Sequence, residues 1–518
     1  MKSNRDLSKP GVSSPGANNG ANSEANDASA ESSLDPGNWA DTRALAHQAL
    51  DEALDFIQSV RERPVWQPVP AAVKQEISEP LPVTGQGLEE TYREFRKQVL
   101  PYATGNVHPQ FFGWVHGSGT VTGMLSEMLA GALNSNCGGR DHGAVYIERC
   151  VVDWCKEMFH YPATASGLLV SGTSMGTLVA LTVARNAMAG WDVRQEGLDS
   201  RAKKLVLYAS REAHESVVKA TEMLGLGRAC IHWVAVDGEF RMDLAELRRA
   251  IAEDRAAGKQ PFCVVGTAGT VNTAAIDDLV GVARIARKEK LWFHADGAFG
   301  ALAVLSEELR PRLKGLELAD SIAFDFHKWL HVPYDAGCVL VRDAEQHWRT
   351  FTSRPSYLEG AERGLSGGGR WFCEYGPELS RGFRALKVWF TLKTYGVQAL
   401  GDAILQNCRQ AQYLASLIRK EPELELLAEP TLNIVCFRFR SEGLSPEELD
   451  ALNVNVVLLL QERGIAAPST TRIGGRETIR VNLTNHRTRR DDLDLLVAAV
   501  LQLGHESVPT ITQVATPR

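Results

Sequence analysis

From Leu168 to Val341 the chain repeats one unit: a short run of β-branched and apolar residues, followed by an amphipathic stretch of helical period. The runs are Leu168–Val170, Leu205–Tyr208, Ile231–Val236, Phe262–Val265, Leu291–His294, Ile322–Phe324 and Cys338–Val341. They are largely apolar, which marks strands covered on both faces, and the helical stretches between them are long enough for parallel crossovers. This rhythm confines the chain to the α/β class, with a mostly parallel seven-stranded sheet. Beyond a helical pattern at Phe383–Tyr395, strands at Asn433–Arg438 and Thr478–Leu483 alternate with helices at Pro446–Glu462 and Arg490–Gln502. That is a smaller α+β carboxyl-terminal domain.

Composition adds the boundaries. Residues 1–36, rich in Ser, Asn, Ala and Gly, read as a disordered tail. Residues 37–119 form an arm: a helix over Trp39–Val60, a stretch broken by Pro64, Pro68, Pro70, Pro80 and Pro82, and a second helix over Gly87–Val99. The large domain is expected at 120–386, the small domain at 387–508 and a flexible tail at 509–518. With 56 Lys and Arg against 63 Asp and Glu, the net charge of −7 offers no basic stripe for nucleic acid. The nine cysteines include no Cys-x-x-Cys pair and no spacing with histidine that suits a metal. The most apolar long window, Phe112 to Leu133, is interrupted by His116, Glu127 and glycines, which argues against a membrane span. The expectation is a cytoplasmic protein without metal, membrane or nucleic-acid partners.

Three features fall at the carboxyl ends of expected strands, where open α/β sheets bind ligands. Val170-Ser171-Gly172-Thr173-Ser174-Met175-Gly176-Thr177 leads into a helix whose free N–H groups suit a phosphate, although any strand-to-helix turn can need glycine. In Trp292-Phe293-His294-Ala295-Asp296-Gly297-Ala298, Asp296 could keep a pyridine nitrogen protonated or could be an ordinary capping aspartate. In Ala323-Phe324-Asp325-Phe326-His327-Lys328-Trp329-Leu330, a lysine lies among bulky apolar neighbours, where its charge is costly unless a Schiff base removes it. Phosphate loop, pyridinium partner and imine lysine are the three handles of pyridoxal 5'-phosphate.

With these motifs in this order, the chain resembles the group II pyridoxal-phosphate-dependent amino-acid decarboxylases, the family of aromatic-L-amino-acid, histidine and glutamate decarboxylases. The resemblance covers roughly Trp39 to Val500 and implies the fold of pyridoxal-phosphate fold type I, aspartate aminotransferase-like. It implies that Lys328 is the Schiff-base lysine, Asp296 the pyridinium partner, Ala298 a methyl beneath the ring and His214 the ring's outer stacking partner. Thr173 and Ser174 would bind the phosphate with help from His327, and Asp325 stands where Asn or Asp is usual. Leu379 and Ser380 would approach the phosphate from a partner subunit, and Thr267 or Thr270 would lie near the ring hydroxyl. His108-Pro109-Gln110-Phe111-Phe112-Gly113-Trp114 is similar to a substrate-side strip donated within an intertwined homodimer with shared active sites.

The same resemblance implies decarboxylation of a small L-amino acid. Phe112 and Trp114 favour an aromatic side chain, whereas Arg140, in Cys137-Gly138-Gly139-Arg140-Asp141, favours an acidic one. The sequence departs from the family at Phe326, where proline is usual, and in the loop Tyr357–Pro377. There Phe372 falls near the family's catalytic tyrosine, and Tyr375 is the rival acid. A lost acid would divert the product from amine to aldehyde. Three further alternatives remain: an acidic amino-acid decarboxylase, an aminotransferase in which Arg480 holds the substrate carboxylate, and an inactive pyridoxal-binding scaffold.

Overall fold

A computed structural model of the chain describes residues 33–199, 201, 204–353 and 363–515. By its internal contacts the chain divides after Leu50, and both sheets and the site belong to the unit from Asp51 onward. Its main sheet contains β1 (Ser166–Val170), β2 (Leu205–Ser210), β3 (Ile231–Val234), β4 (Gln260–Thr267), β5 (Trp292–Asp296), β6 (Ser321–Asp325) and β7 (Gly337–Val341), in the order β1-β7-β6-β5-β4-β2-β3. All seven expected strands are present. Alternate residues feed opposite faces: Val206 and Tyr208 join one core cluster while Leu205, Leu207 and Ala209 join the other, so both faces are covered.

One strand departs from the parallel pattern. β7 runs antiparallel to both β1 and β6. Only residues 326–336 separate it from β6, too few for the crossover that a parallel neighbour requires. Reversing β7 leaves β1, β4, β5 and β6 with their carboxyl ends at one edge, where the amino end of β7 also lies.

The small domain holds an antiparallel sheet of β8 (Leu424–Ala428), β9 (Ile434–Phe439), β10 (Ser469–Ile473) and β11 (Arg476–Asn482), in the order β10-β11-β9-β8. Sequence periodicity had located β9 and β11; β8 and β10 are short, with polar residues facing out. The helix Arg384–Ile418 joins the domains and is broken at Gly396 (φ 72°), a left-handed position that ends the first segment where the pattern Phe383–Tyr395 had stopped. The proline-broken stretch of the arm contains a short helix, Ala71–Ile77, that starts directly after Pro70. The last helix, Arg490–Ala515, runs on into the residues read as a tail. Tyr357 and its neighbours to 362, and most of the amino-terminal tail, lie outside the described residues.

Candidate active site

Lys328 sits in the single helical turn Phe326–Trp329 that follows β6. Its ammonium pairs with Asp325 Oδ2 at 2.9 Å, and Asp325 Oδ1 accepts the N–H of Thr173 at 2.6 Å. One carboxylate thus ties the lysine to the start of the helix Thr173–Met188. Glycine makes this approach possible: a Cβ on Gly337 would stand 2.7 Å from both Asp325 Oδ1 and Gly172 Cα. Beside this junction Thr173 Oγ1 is buried with no hydrogen-bond partner. Gly176 is the first residue of the turn whose N–H reaches a helical carbonyl, Gly172 O at 3.0 Å, so the N–H groups of Ser174 and Met175 are left over. His327 Nδ1 accepts the N–H of Ala336 at 3.0 Å, which assigns the proton to Nε2, and burial lowers its pKa.

A cavity of about 240 Å³ opens from Lys328 and is lined in addition by His214, Thr267, Asp296, Ala298 and the aromatic pair Trp114 and Phe299. Asp296 ends β5 fully enclosed, with Oδ1 accepting the N–H of Ala298 at 3.1 Å. Burial pushes its pKa up, while the charges of His214 and Lys328 act in the opposite direction. Such a carboxylate is stabilised by any cation brought against it. His214 Nδ1 accepts from the N–H of Ser216 at 3.1 Å, leaving Nε2–H as the ring's donor. Thr267 Oγ1 is buried without a partner, whereas Thr270 Oγ1 is committed to its own loop, meeting Thr273 Oγ1 at 3.1 Å and accepting the N–H of Ala275 at 3.1 Å. Of the two threonines, only Thr267 has a hydroxyl to offer and lines the cavity.

These features fit pyridoxal phosphate: an amine, an enclosed acid for the ring nitrogen, small residues beneath a flat ring, the orphaned Thr267 hydroxyl in the cavity, and the orphaned Thr173 hydroxyl with free helix N–H groups at the phosphate end. Other expected residues lie elsewhere. Phe112 is in the small-domain core rather than the cavity, because its N–H donates to Ala467 O and its carbonyl accepts from Asn482, so the strip is stitched to the small domain there. Arg140 stacks its guanidinium over Trp371 at 5.2 Å and does not reach this cavity. Phe372 is buried in the large-domain core with the Arg381 guanidinium 5.3 Å from its ring centre, and Tyr375 packs against the same core with its ring edge-to-face on His347. Neither position serves as a site for a catalytic loop side chain in its own chain's cavity. Leu379 and Ser380 are exposed and also stand away from it, and Ser174 is exposed at the helix start.

Arg480 is equally informative. Its fork is spent on backbone carbonyls, with Nε on Val271 O at 2.9 Å and Nη1 on Trp114 O at 2.9 Å, so no face remains for a substrate carboxylate. Sequence reasoning missed His116 and Val271, which line the cavity. Neither carries a local motif; each arrives through a long-range contact of its loop.

The model of the pyridoxal-dependent decarboxylase conserved domain matches residues 70–440. The chain belongs to that family. It is 34% identical over 468 residues to an aromatic-L-amino-acid decarboxylase of Bacillus atrophaeus, covering 90% of this chain and 95% of the relative. Among solved structures, it superposes on Oryza sativa TDC with PLP and tryptamine with a TM-score of 0.84, at 27% identity over 92% of this chain and 99% of the other. Rhodiola rosea 4-hydroxyphenylacetaldehyde synthase is also similar, with a TM-score of 0.81 at 25% identity, covering 92% of this chain and 100% of the other. The chain is therefore a pyridoxal-phosphate-dependent amino-acid decarboxylase, a carboxy-lyase of the α/β fold expected from its sequence. Among the described residues, no helix is long and apolar enough to cross a membrane, and no cluster of three metal-ligating side chains occurs.

Proposed function

We propose that the chain converts an aromatic L-amino acid to its amine and carbon dioxide, as a homodimer whose cavities take residues from both subunits. The carrying observation is the character of the cavity wall. Trp114, His116 and Phe299 line it, and Lys328 is its one cationic side chain of the Lys or Arg type among the described residues. With Arg480 engaged by carbonyls and Arg140 stacked on Trp371, neither arginine is free to meet an acidic side chain or to serve as the carboxylate fork of an aminotransferase in its own chain's cavity. The dimer reading is supported by Trp114, 56% exposed at the cavity mouth, and by the exposed Leu379 of a strip pinned to Asn136–Gly138. Large apolar side chains held rigidly at a surface suit a subunit contact.

Bound pyridoxal phosphate supplies an electron sink for the pair left when carbon dioxide departs. In this reading Lys328 would attach it, Asp296 would hold a proton on its ring nitrogen, and His214 and Ala298 would cover its two faces. Thr173 Oγ1, the N–H groups of Ser174 and Met175, and His327 Nε2–H would hold the phosphate, and Thr267 Oγ1 would meet the ring hydroxyl. Asp325 keeps the Lys328 amine beside the helix start. The test is to incubate the purified protein with tyrosine, DOPA, tryptophan, phenylalanine, histidine and glutamate while measuring carbon dioxide, amine, aldehyde and oxygen. Amine stoichiometric with carbon dioxide from an aromatic acid is expected. Turnover of glutamate alone, or keto-acid formation, would overturn the reading.

A further inference from the structure

His116 stands out among the imidazoles of the site. His214 and His327 each accept a backbone N–H, and His486 Nε2 meets Gly119 O at 3.2 Å, but the His116 ring takes no hydrogen bond from any described residue. Its backbone is nonetheless pinned: Thr484 Oγ1 donates to His116 O at 2.7 Å, and two residues earlier Arg480 holds Trp114 O. The ring is half-buried and packed among aromatic neighbours, with centroids 5.6 Å from Phe111, 5.7 Å from Trp114 and 5.9 Å from Tyr334. It lines the cavity together with Lys328, His214 and Asp296. Burial and the nearby Lys328 charge both lower its pKa, which leaves a neutral imidazole with one donor and one acceptor nitrogen. An imidazole that no protein group engages is free to hydrogen-bond an occupant of the cavity.

We infer that His116 is a specificity-determining residue, hydrogen-bonding a polar group on the substrate's aromatic ring, such as a phenol hydroxyl or an indole or imidazole N–H. This rests on the reading that the substrate is aromatic. A site with an unmatched imidazole rejects a ring that lacks the matching group. The unmodified holoenzyme is therefore expected to favour the best of tyrosine, DOPA, tryptophan and histidine over phenylalanine by at least about tenfold in kcat/KM. His116→Phe should bring that ratio to within about threefold, and His116→Gln, which keeps a donor and an acceptor, should retain part of it. A second readout needs no turnover and no variant. Calorimetry of the holoenzyme should show the non-reactive analogue of the preferred substrate, its deaminated propionate, binding about tenfold more tightly than 3-phenylpropionate. Comparable use of phenylalanine by the unmodified enzyme, equal binding of the two analogues, or a ratio that survives in a folded His116→Phe protein would overturn the role of His116 while leaving the aromatic reading intact. Turnover of non-aromatic amino acids only would overturn both.

Discussion

Replacing Glu148 with glutamine should do more damage than its distance from Lys328 suggests. Glu148 and Arg381 form an ion pair with side chains 0% and 1% exposed. Arg381 Nη1 also donates to Cys137 O at 3.0 Å and Nη2 to Leu169 O at 2.5 Å, while Glu148 Oε1 accepts the N–H of Leu169 at 3.2 Å. The pair thus joins the last residues of β1, just ahead of the phosphate loop, to the strip 136–138 and the segment 378–381. In Glu148→Gln the arginine stays buried with its charge uncompensated. At an effective dielectric of about 20, charges about 4 Å apart contribute about 4 kcal/mol, and removing one partner of a buried pair costs a similar 3–5 kcal/mol, on the order of a thousandfold in the folding equilibrium. Urea denaturation followed by fluorescence measures that loss, and titration of the apo-protein with pyridoxal phosphate should reveal at least about tenfold weaker binding as the phosphate loop loses its anchor. The double variant Glu148→Leu with Arg381→Met, which buries no charge, should recover much of the stability but not the anchoring bonds. A Glu148→Gln protein within about 1 kcal/mol of the original would refute the claim that this pair organises the site.

Further outcomes follow from the same geometry. Asp296→Asn should retain some cofactor yet lose most turnover, since an amide cannot hold the ring nitrogen protonated; near-normal kcat would remove Asp296 from its role. In Gly337→Ala the new methyl must displace Asp325 or Gly172, so the protein should fold but bind pyridoxal phosphate at least about tenfold more weakly, as read by the cofactor's absorbance. His294, His347 and His486 have pKa values pushed down to about 4 by burial, below the unfolded 6.5. The unfolded chain binds more protons in that window, so stability falls as pH drops from about 6.5 to about 4, by up to about 1.4 kcal/mol per pH unit for each histidine, and His294→Asn should flatten the slope by one proton. Since Phe372 is buried in the core and Tyr375 packs against it, His214, which lines the cavity, is the candidate proton donor. Tyr375→Phe should then leave amine as the product, whereas a shift towards aldehyde with oxygen uptake would return Tyr375 as the donor.

The sequence by itself determined the main sheet and the place of its chemistry. Short apolar runs alternating with amphipathic stretches mark the strands of a covered sheet, and Asp296, the last residue of β5, and Lys328, just past β6, are delivered to the sheet edge by the local chain. What it left undecided depends on contacts between residues far apart in the chain. The antiparallel set of β7 follows from its pairing with β1, and that pairing seats Gly337 between Val170 and Asp325. The family resemblance puts Phe112 and Phe372 near the site, but each is claimed by a core that other segments supply. Arg480 reads as a substrate fork until the Val271 and Trp114 carbonyls engage it, and His116 reads as an interruption of an apolar window until Phe111, Trp114 and Tyr334 enclose it beside Lys328. Periodicity reports which face of an element is buried. Which polar group lacks a partner is decided only when all segments that could supply one have taken their places.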